Sequence, residues 1–221
     1  MSATRSMQPI QDVLRTSLEQ MDAADELHNI HSLIGRPSPN TTFVNPVGFA
    51  PQDSTLSYAE YLLTLLRPDT KAHPEHSAYA LEFDRQIEVI RNIQASMARG
   101  DDAGFLLVDD DGEPGVRFRR MVFDKRPQNM SERDAIRLLR NWTVPNRFLE
   151  QQRSMEGIFI PRSLVVFDTD GVQLEPDKIE SAMAGKLVRV HFSLRCLYLA
   201  RDHANGVDLF LALIKKIQIL P

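Results

Sequence analysis

From Val188 to Tyr198, apolar or aromatic residues fall at every second position: Val188, Val190, Phe192, Leu194, Cys196 and Tyr198. Arg189, His191, Ser193 and Arg195 stand between them. A period of two sends the two sets to opposite faces of a strand and matches no helix. Asn205-Gly206 follows, the dipeptide of tight hairpin turns, and Val207–Leu220 returns as a long apolar run with Lys215-Lys216 set into it. The last third of the chain is therefore committed to a long antiparallel hairpin. Its expected core is Val188, Val190, Phe192, Leu194, Leu209, Leu211, Leu213, Ile217 and Ile219.

The first third reads differently. Pro9 suits a first helical position, and Ile10, Val13, Leu14, Leu18, Met21, Leu27, Ile30 and Ile34 recur at three- and four-residue steps. The reading is a helix over Pro9–Ile34, stopped by Gly35 and Pro37. Residues 35–56 read as a long loop. Ser57 and Glu60 make a capping-box pattern ahead of Tyr61–Leu66, read as a short helix ended by Pro68. A further helix is expected over Ser77–Ala98, with Tyr79, Phe83, Ile87, Ile90, Ile93 and Met97 on its apolar face.

At Gly104 the texture turns to strands. Phe105–Val108 leads into the turn Asp109–Gly112, and Val116–Phe123 returns. Its apolar phase shifts at Arg119-Arg120, which predicts a bulge. A helix is expected from Ser131, with Ala135, Leu138, Leu139 and Trp142 inward. A strand over Gly157–Phe167, edged at Pro161, a turn at Asp168–Gly171 and a short helix over Pro176–Met183 complete the order.

These elements define an α+β protein: a helical N-terminal part at 1–100, then a β-rich antiparallel part at 101–221 with an inserted helix near 131–142. The element order of the second part is compatible with the later half of a small Greek-key barrel of the OB type.

Charge supplies the functional lead. The chain holds 26 Lys and Arg against 30 Asp and Glu, net −4. Residues 116–153 alone hold ten basic and four acidic residues, so this segment is +6 and the remainder −10. Such a tract in an acidic chain suits an anionic partner or an electrostatic seam within an assembly. Nine of its ten cations are Arg, the side chain matched to phosphate forks. Phe118, Phe123, Trp142 and Phe148 are interleaved, as in single-strand binders that combine a cationic groove with stacking rings. The candidate nucleic-acid-binding residues are Arg117, Arg119, Arg120, Lys125, Arg126, Arg133, Arg137, Arg140, Arg189 and Arg195. His191 would extend that surface.

Other motifs weigh less. Leu164–Phe167 followed by Asp168-Thr169-Asp170-Gly171 resembles the first motif of haloacid-dehalogenase-type phosphatases. The resemblance implies Asp168 as nucleophile, Asp170 as general acid and a Mg²⁺ ion. It covers about nine residues, and the 50 residues after Gly171 leave no room for the family's later motifs. His28 with His31, and His73 with His76, are spaced for chelation if the two segments meet. No Cys or Asp shell supports them, so no metal site and no cofactor are assigned. Asp109–Gly112 fails the calcium-loop pattern, because position twelve would be Phe118. Cys196 is the single cysteine, so no internal disulfide forms.

The expected function is non-enzymatic nucleic-acid binding with single strands preferred. The alternative is a structural or assembly subunit, a coat or scaffold protein, that self-associates through the N-terminal helix and the basic tract. Either way a protein partner or self-association is expected. No apolar run of membrane-spanning length and no hydrophobic leader occur, so no membrane is expected and the expected compartment is intracellular, cytoplasm or nucleus.

Overall fold

The computed structural model describes residues 30–50, 55–98, 103–104, 106–199 and 207–221. Its strands are β1 Ile30–Pro37, β2 Glu60–Leu66, β3 Ala103–Gly104, β4 Leu107–Asp110, β5 Glu113–Met121, β6 Phe123–Lys125, β7 Phe159–Pro161, β8 Val166–Phe167, β9 Val188–Leu199 and β10 Val207–Ile219. Its α-helices are α1 Ser77–Met97, α2 Glu132–Arg140, α3 Leu149–Ser154 and α4 Ile179–Met183. The mixture is α+β, as expected. Two compact units share the chain by interleaving. One takes residues 29–45, 61–120 and 164–221; the other includes 46–60 and 121–163. Neither unit is bounded at residue 100, where the sequence places its division.

The first unit is a closed barrel. The strand order β10-β9-β1-β2-β5 is completed by a pairing of β5 back to β10. β1 is antiparallel to both β2 and β9, β9 is antiparallel to β10, and β10 runs parallel to β5. Numbered along the chain, the five barrel strands follow 1-2-3-5-4 and close on 1, the OB arrangement. Closure removes the free edges that an open sheet would expose. Phe118 and Phe192 meet edge to face inside, with ring centroids 4.9 Å apart. Leu33, Tyr61, Leu63, Leu65, Val190 and Ile217 are buried with them.

Two elements read as helix are strands. The Pro9–Ile34 helix falls outside the described residues as far as residue 29, but from Ile30 the chain is strand. Ile30–Gly35 pairs residue for residue with Ser193–Val188 of β9. Spacing of Ile30 and Ile34 by four suited either structure, and the long-range ladder decides it. Tyr61–Leu66 is β2, preceded only by a 3₁₀ turn at Leu56–Tyr58. Its residues are buried on both faces, so alternation is lost and a short apolar run carries no period to read. The expected loop at 35–56 accordingly begins only after Pro37, and part of it bridges β2 at Phe43↔Leu62.

The phase of β10 also departs from expectation. Its register against β9 shifts between Ile214 and Lys216. Phe210, Ala212 and Ile214 share the barrel's inner phase with Leu194 and Phe192; after the bulge Ile217 and Ile219 take it over. Leu209, Leu211 and Leu213 therefore lie on the opposite face from the expected one, although Leu211 and Leu213 are buried there. One inserted residue reverses the side of every residue beyond it.

Helix α1 agrees with its sequence pattern. Ala80, Phe83, Ile87 and Ile90 are buried, and the helix packs on β1. Tyr79 and Met97, read as part of that face, are exposed. The β4–β5 hairpin turns through Asp111 and Gly112, both at positive φ (57° and 82°). That is a two-residue turn, so Asp109 and Asp110, read as turn, belong to the ladder. The Asp109 carboxylate accepts the Gly112 N–H at 2.7 Å, and Asp110 accepts the hydroxyl of Ser38.

In the second unit β6 and β7 form a small antiparallel pair. The strand expected over Gly157–Phe167 is thus two short ones, and its halves belong to different units. The phase shift at Arg119-Arg120 marks where β5 ends its barrel pairing and the chain passes to the second unit. Helix α2 starts as expected: the Ser131 hydroxyl accepts the Asp134 N–H at 3.1 Å. Ala135 and Leu139 are buried, whereas Leu138, read as inward, is 41% exposed.

Candidate nucleic-acid interface

Backbone register determines which arginines share a surface. Val116 and Phe118 are fully buried, so Arg117 and Arg119 take the outer face of β5. Leu213 of β10 lies opposite Arg119 on one side and opposite Ser193 of β9 on the other. Paired residues share a face, and Ser193 alternates in step with Arg189, His191 and Arg195. Arg117, Arg119, Arg189, His191 and Arg195 therefore stand on one outer face of the barrel, although up to about 78 residues separate them in sequence. Because of the bulge, Lys216 rather than Lys215 lies opposite His191 and joins this face.

The electrostatics of the face favour an anion. Arg117 is half-buried, and its guanidinium is pulled below the ordinary arginine range first by burial and then by the charge of Arg119, with Asp110 opposing. Its Nε is buried and donates to no acceptor among the described residues. His191 is held below the usual imidazole range by burial, then by Lys216 and Arg189. Arg119 therefore adjoins Arg117, and Lys216 and Arg189 adjoin His191, closely enough for like charges to act on one another. Lys216 Nζ lies 4.6 Å from the centre of the Phe167 ring on β8, a cation–π contact. Phe167 is half-buried and was not among the rings singled out from sequence; it sits in an apolar run that gave no sign of its neighbour.

The remaining candidates are placed elsewhere. Arg120 turns from this face and donates to the Ile214 carbonyl at 3.3 Å. Its charge lies near Tyr61, whose buried hydroxyl has its pKa pushed up by desolvation. Lys125, Arg126, Arg133, Arg137 and Arg140 belong to the second unit. Arg126 is structural, donating to the carbonyls of Gly157 and Met130 at 2.8 Å each. Arg140 makes a two-pronged pair with Glu156 at 2.9 and 2.7 Å, and Arg137 pairs with Asp134 at 3.0 Å. Arg133, Arg137 and Arg140 line one shallow, open depression on α2. The charge tract thus divides between a barrel face and a helix whose cations are partly matched within their own unit.

Three of the four interleaved rings do not offer a stacking surface. Phe118, Phe123 and Phe148 are buried. Trp142 donates its indole N–H to the Pro46 carbonyl at 2.8 Å. Its backbone carbonyl accepts from Gln152, which also holds the Leu139 carbonyl. Phe118 thus belongs to the interior of the first unit and Phe123 and Phe148 to that of the second, while Trp142 is half-buried.

The Asp168–Gly171 segment closes a turn. Asp168 Oδ1 accepts the N–H groups of Asp170 and Val172 at 3.0 and 2.8 Å, and Gly171 has φ 79°. Its carboxylate is thus engaged by the turn itself, the ordinary use of Asp at such a position. Among the described residues no helix is long and apolar enough to cross a membrane.

No protein-family model and no curated protein matches the sequence. Among solved structures, the chain is similar to gp2.5, a single-stranded DNA-binding protein encoded by bacteriophage T7. Identity is 13%, coverage 87% of this chain and 92% of that one, and TM-score 0.47. It is similar also to a single-stranded DNA-binding protein from bacteriophage Enc34, at 12% identity, 86% and 80% coverage and TM-score 0.43. The same Enc34 protein in complex with ssDNA aligns at 12% identity, 89% and 92% coverage and TM-score 0.41.

Proposed function

We propose that the protein binds single-stranded nucleic acid, without catalysing a reaction, on the outer face formed by β5, β10 and β9. The observation that carries this reading is the register that puts Arg117, Arg119, Arg189, Arg195 and Lys216 on one side of a closed OB-order barrel. Adjacent strands lie about 4.8 Å apart and alternate residues on a strand about 7 Å, so cations on this lattice fall at spacings a flexible phosphate backbone can follow. Arginine forks would hold the phosphates, and Phe167 is the ring placed beside them. Arg133, Arg137 and Arg140 on α2 form a second cationic surface, in the other unit. Arg120, Arg126 and Lys125 contribute less, the first two because their guanidinium groups already serve backbone carbonyls.

A fluorescence-anisotropy titration with labelled single- and double-stranded oligonucleotides at two salt concentrations tests the reading. Salt-sensitive binding with preference for the single strand supports it, and absence of binding at low salt refutes it. Light scattering on the same sample, without nucleic acid, tests the self-association that an assembly subunit requires.

A further inference from the structure

The turn that leads into α1 carries the sequence His73-Pro74-Glu75-His76. Pro74 opens a single 3₁₀ turn, Pro74–His76, which runs directly into the helix. A 3₁₀ turn brings residues three apart onto one side. The His73 and His76 rings accordingly stack, with centroids 4.9 Å apart and planes at 28°. Glu75 lies with them: its Oε1 is 3.2 Å from His73 Nδ1. One ligand atom from each residue lies within 4.8 Å of the other two, and this is the grouping of its kind among the described residues.

We propose that His73, Glu75 and His76 form a binding site for a borderline divalent transition metal, Zn²⁺ in the first instance. The site goes beyond the nucleic-acid reading and does not depend on it. Two imidazoles and one carboxylate are a donor set that Zn²⁺ accepts, leaving a fourth position for water. Metal–ligand bonds of about 2.0–2.1 Å in a tetrahedron require donor separations of roughly 3.4 Å. His73 and Glu75 already meet that spacing. The remaining approach needs only side-chain rotation, and His73 and Glu75 are 55% and 66% exposed, free of packing that would oppose it. The turn ahead of the site is held by Asp69, whose backbone carbonyl accepts the His73 N–H at 3.1 Å and whose carboxylate accepts the N–H groups of Lys71 and Ala72 at 2.9 and 3.1 Å.

Full-length protein stripped with EDTA is titrated with ZnCl₂ alone against a chromogenic chelator. Uptake of one equivalent is expected. His73→Ala and His76→Ala should each weaken it by more than the about 10- to 100-fold that loss of an outer-shell partner costs. His28→Ala with His31→Ala should leave it unchanged. The ring-nitrogen NMR shifts of His73 and His76 should move together on Zn²⁺ addition. No uptake, uptake that survives His73→Ala with His76→Ala, or ring shifts confined to other histidines would each overturn the proposal. None of these results bears on oligonucleotide binding, so the two readings fail separately.

Discussion

Replacing Arg117 and Arg119 together by Gln tests the barrel face most directly. Five permanently charged side chains share that face: Arg117, Arg119, Arg189, Arg195 and Lys216. If each neutralises one phosphate of a single strand, the slope of log K against log salt is about −3.5. Association then weakens about 100-fold between 50 and 200 mM salt. The double variant leaves three such cations, so its slope should be about −2.1 and its loss over the same range only about 20-fold. Both side chains belong to the outer row of β5, and circular dichroism with the thermal midpoint checks that the double variant is folded. Anisotropy titrations of one labelled oligonucleotide across a salt series measure the slope. An unchanged slope in a folded double variant refutes the assignment of this face. A slope that falls instead on replacing Arg133, Arg137 and Arg140 would move the interface to α2.

Three further outcomes follow from particular contacts. His191 has a lowered pKa in the folded protein, so the unfolded chain takes up its proton first as pH falls. Its contribution is present above about 6.5 and is lost as pH drops below that value, and His191→Gln should flatten the thermal midpoint across this range in a pH series. Ser131→Ala removes the N-cap of α2 and should cost about 1 kcal/mol in a denaturant titration. Gly48→Ala should be more damaging, about 2 kcal/mol or more: φ is 58°, and an added Cβ would fall on the carbonyl of Glu60, so thermal melts should show a large drop.

The local signals that were legible are those that neighbours along the chain create. The 3.6-residue spacing of Phe83, Ile87 and Ile90 established α1, the Ser131/Asp134 pair established the start of α2, and the two-residue period of Val188–Phe192 established β9. Each element satisfies its own backbone or presents one apolar stripe, so sequence carries its period. β1 and β2 were not legible because the ladders that make them strands come from residues far along the chain, and β2 is buried on both faces and has no period.

The candidate site divides in the same way. The order of residues alone determined that a cationic tract rich in Arg exists and that Arg189, His191 and Arg195 share one side of a strand. Only tertiary structure decided which cations meet. The parallel pairing of β10 with β5 brings Arg119 level with Ser193, while the bulge at Lys215 exchanges the faces of β10 and delivers Lys216 to His191. It also withdrew Arg126 into backbone hydrogen bonds and buried three of the four interleaved rings. A strand's period fixes the two sides of a residue row. Which side faces the core, and which rows lie side by side, depends on register across strands, a property of no single segment.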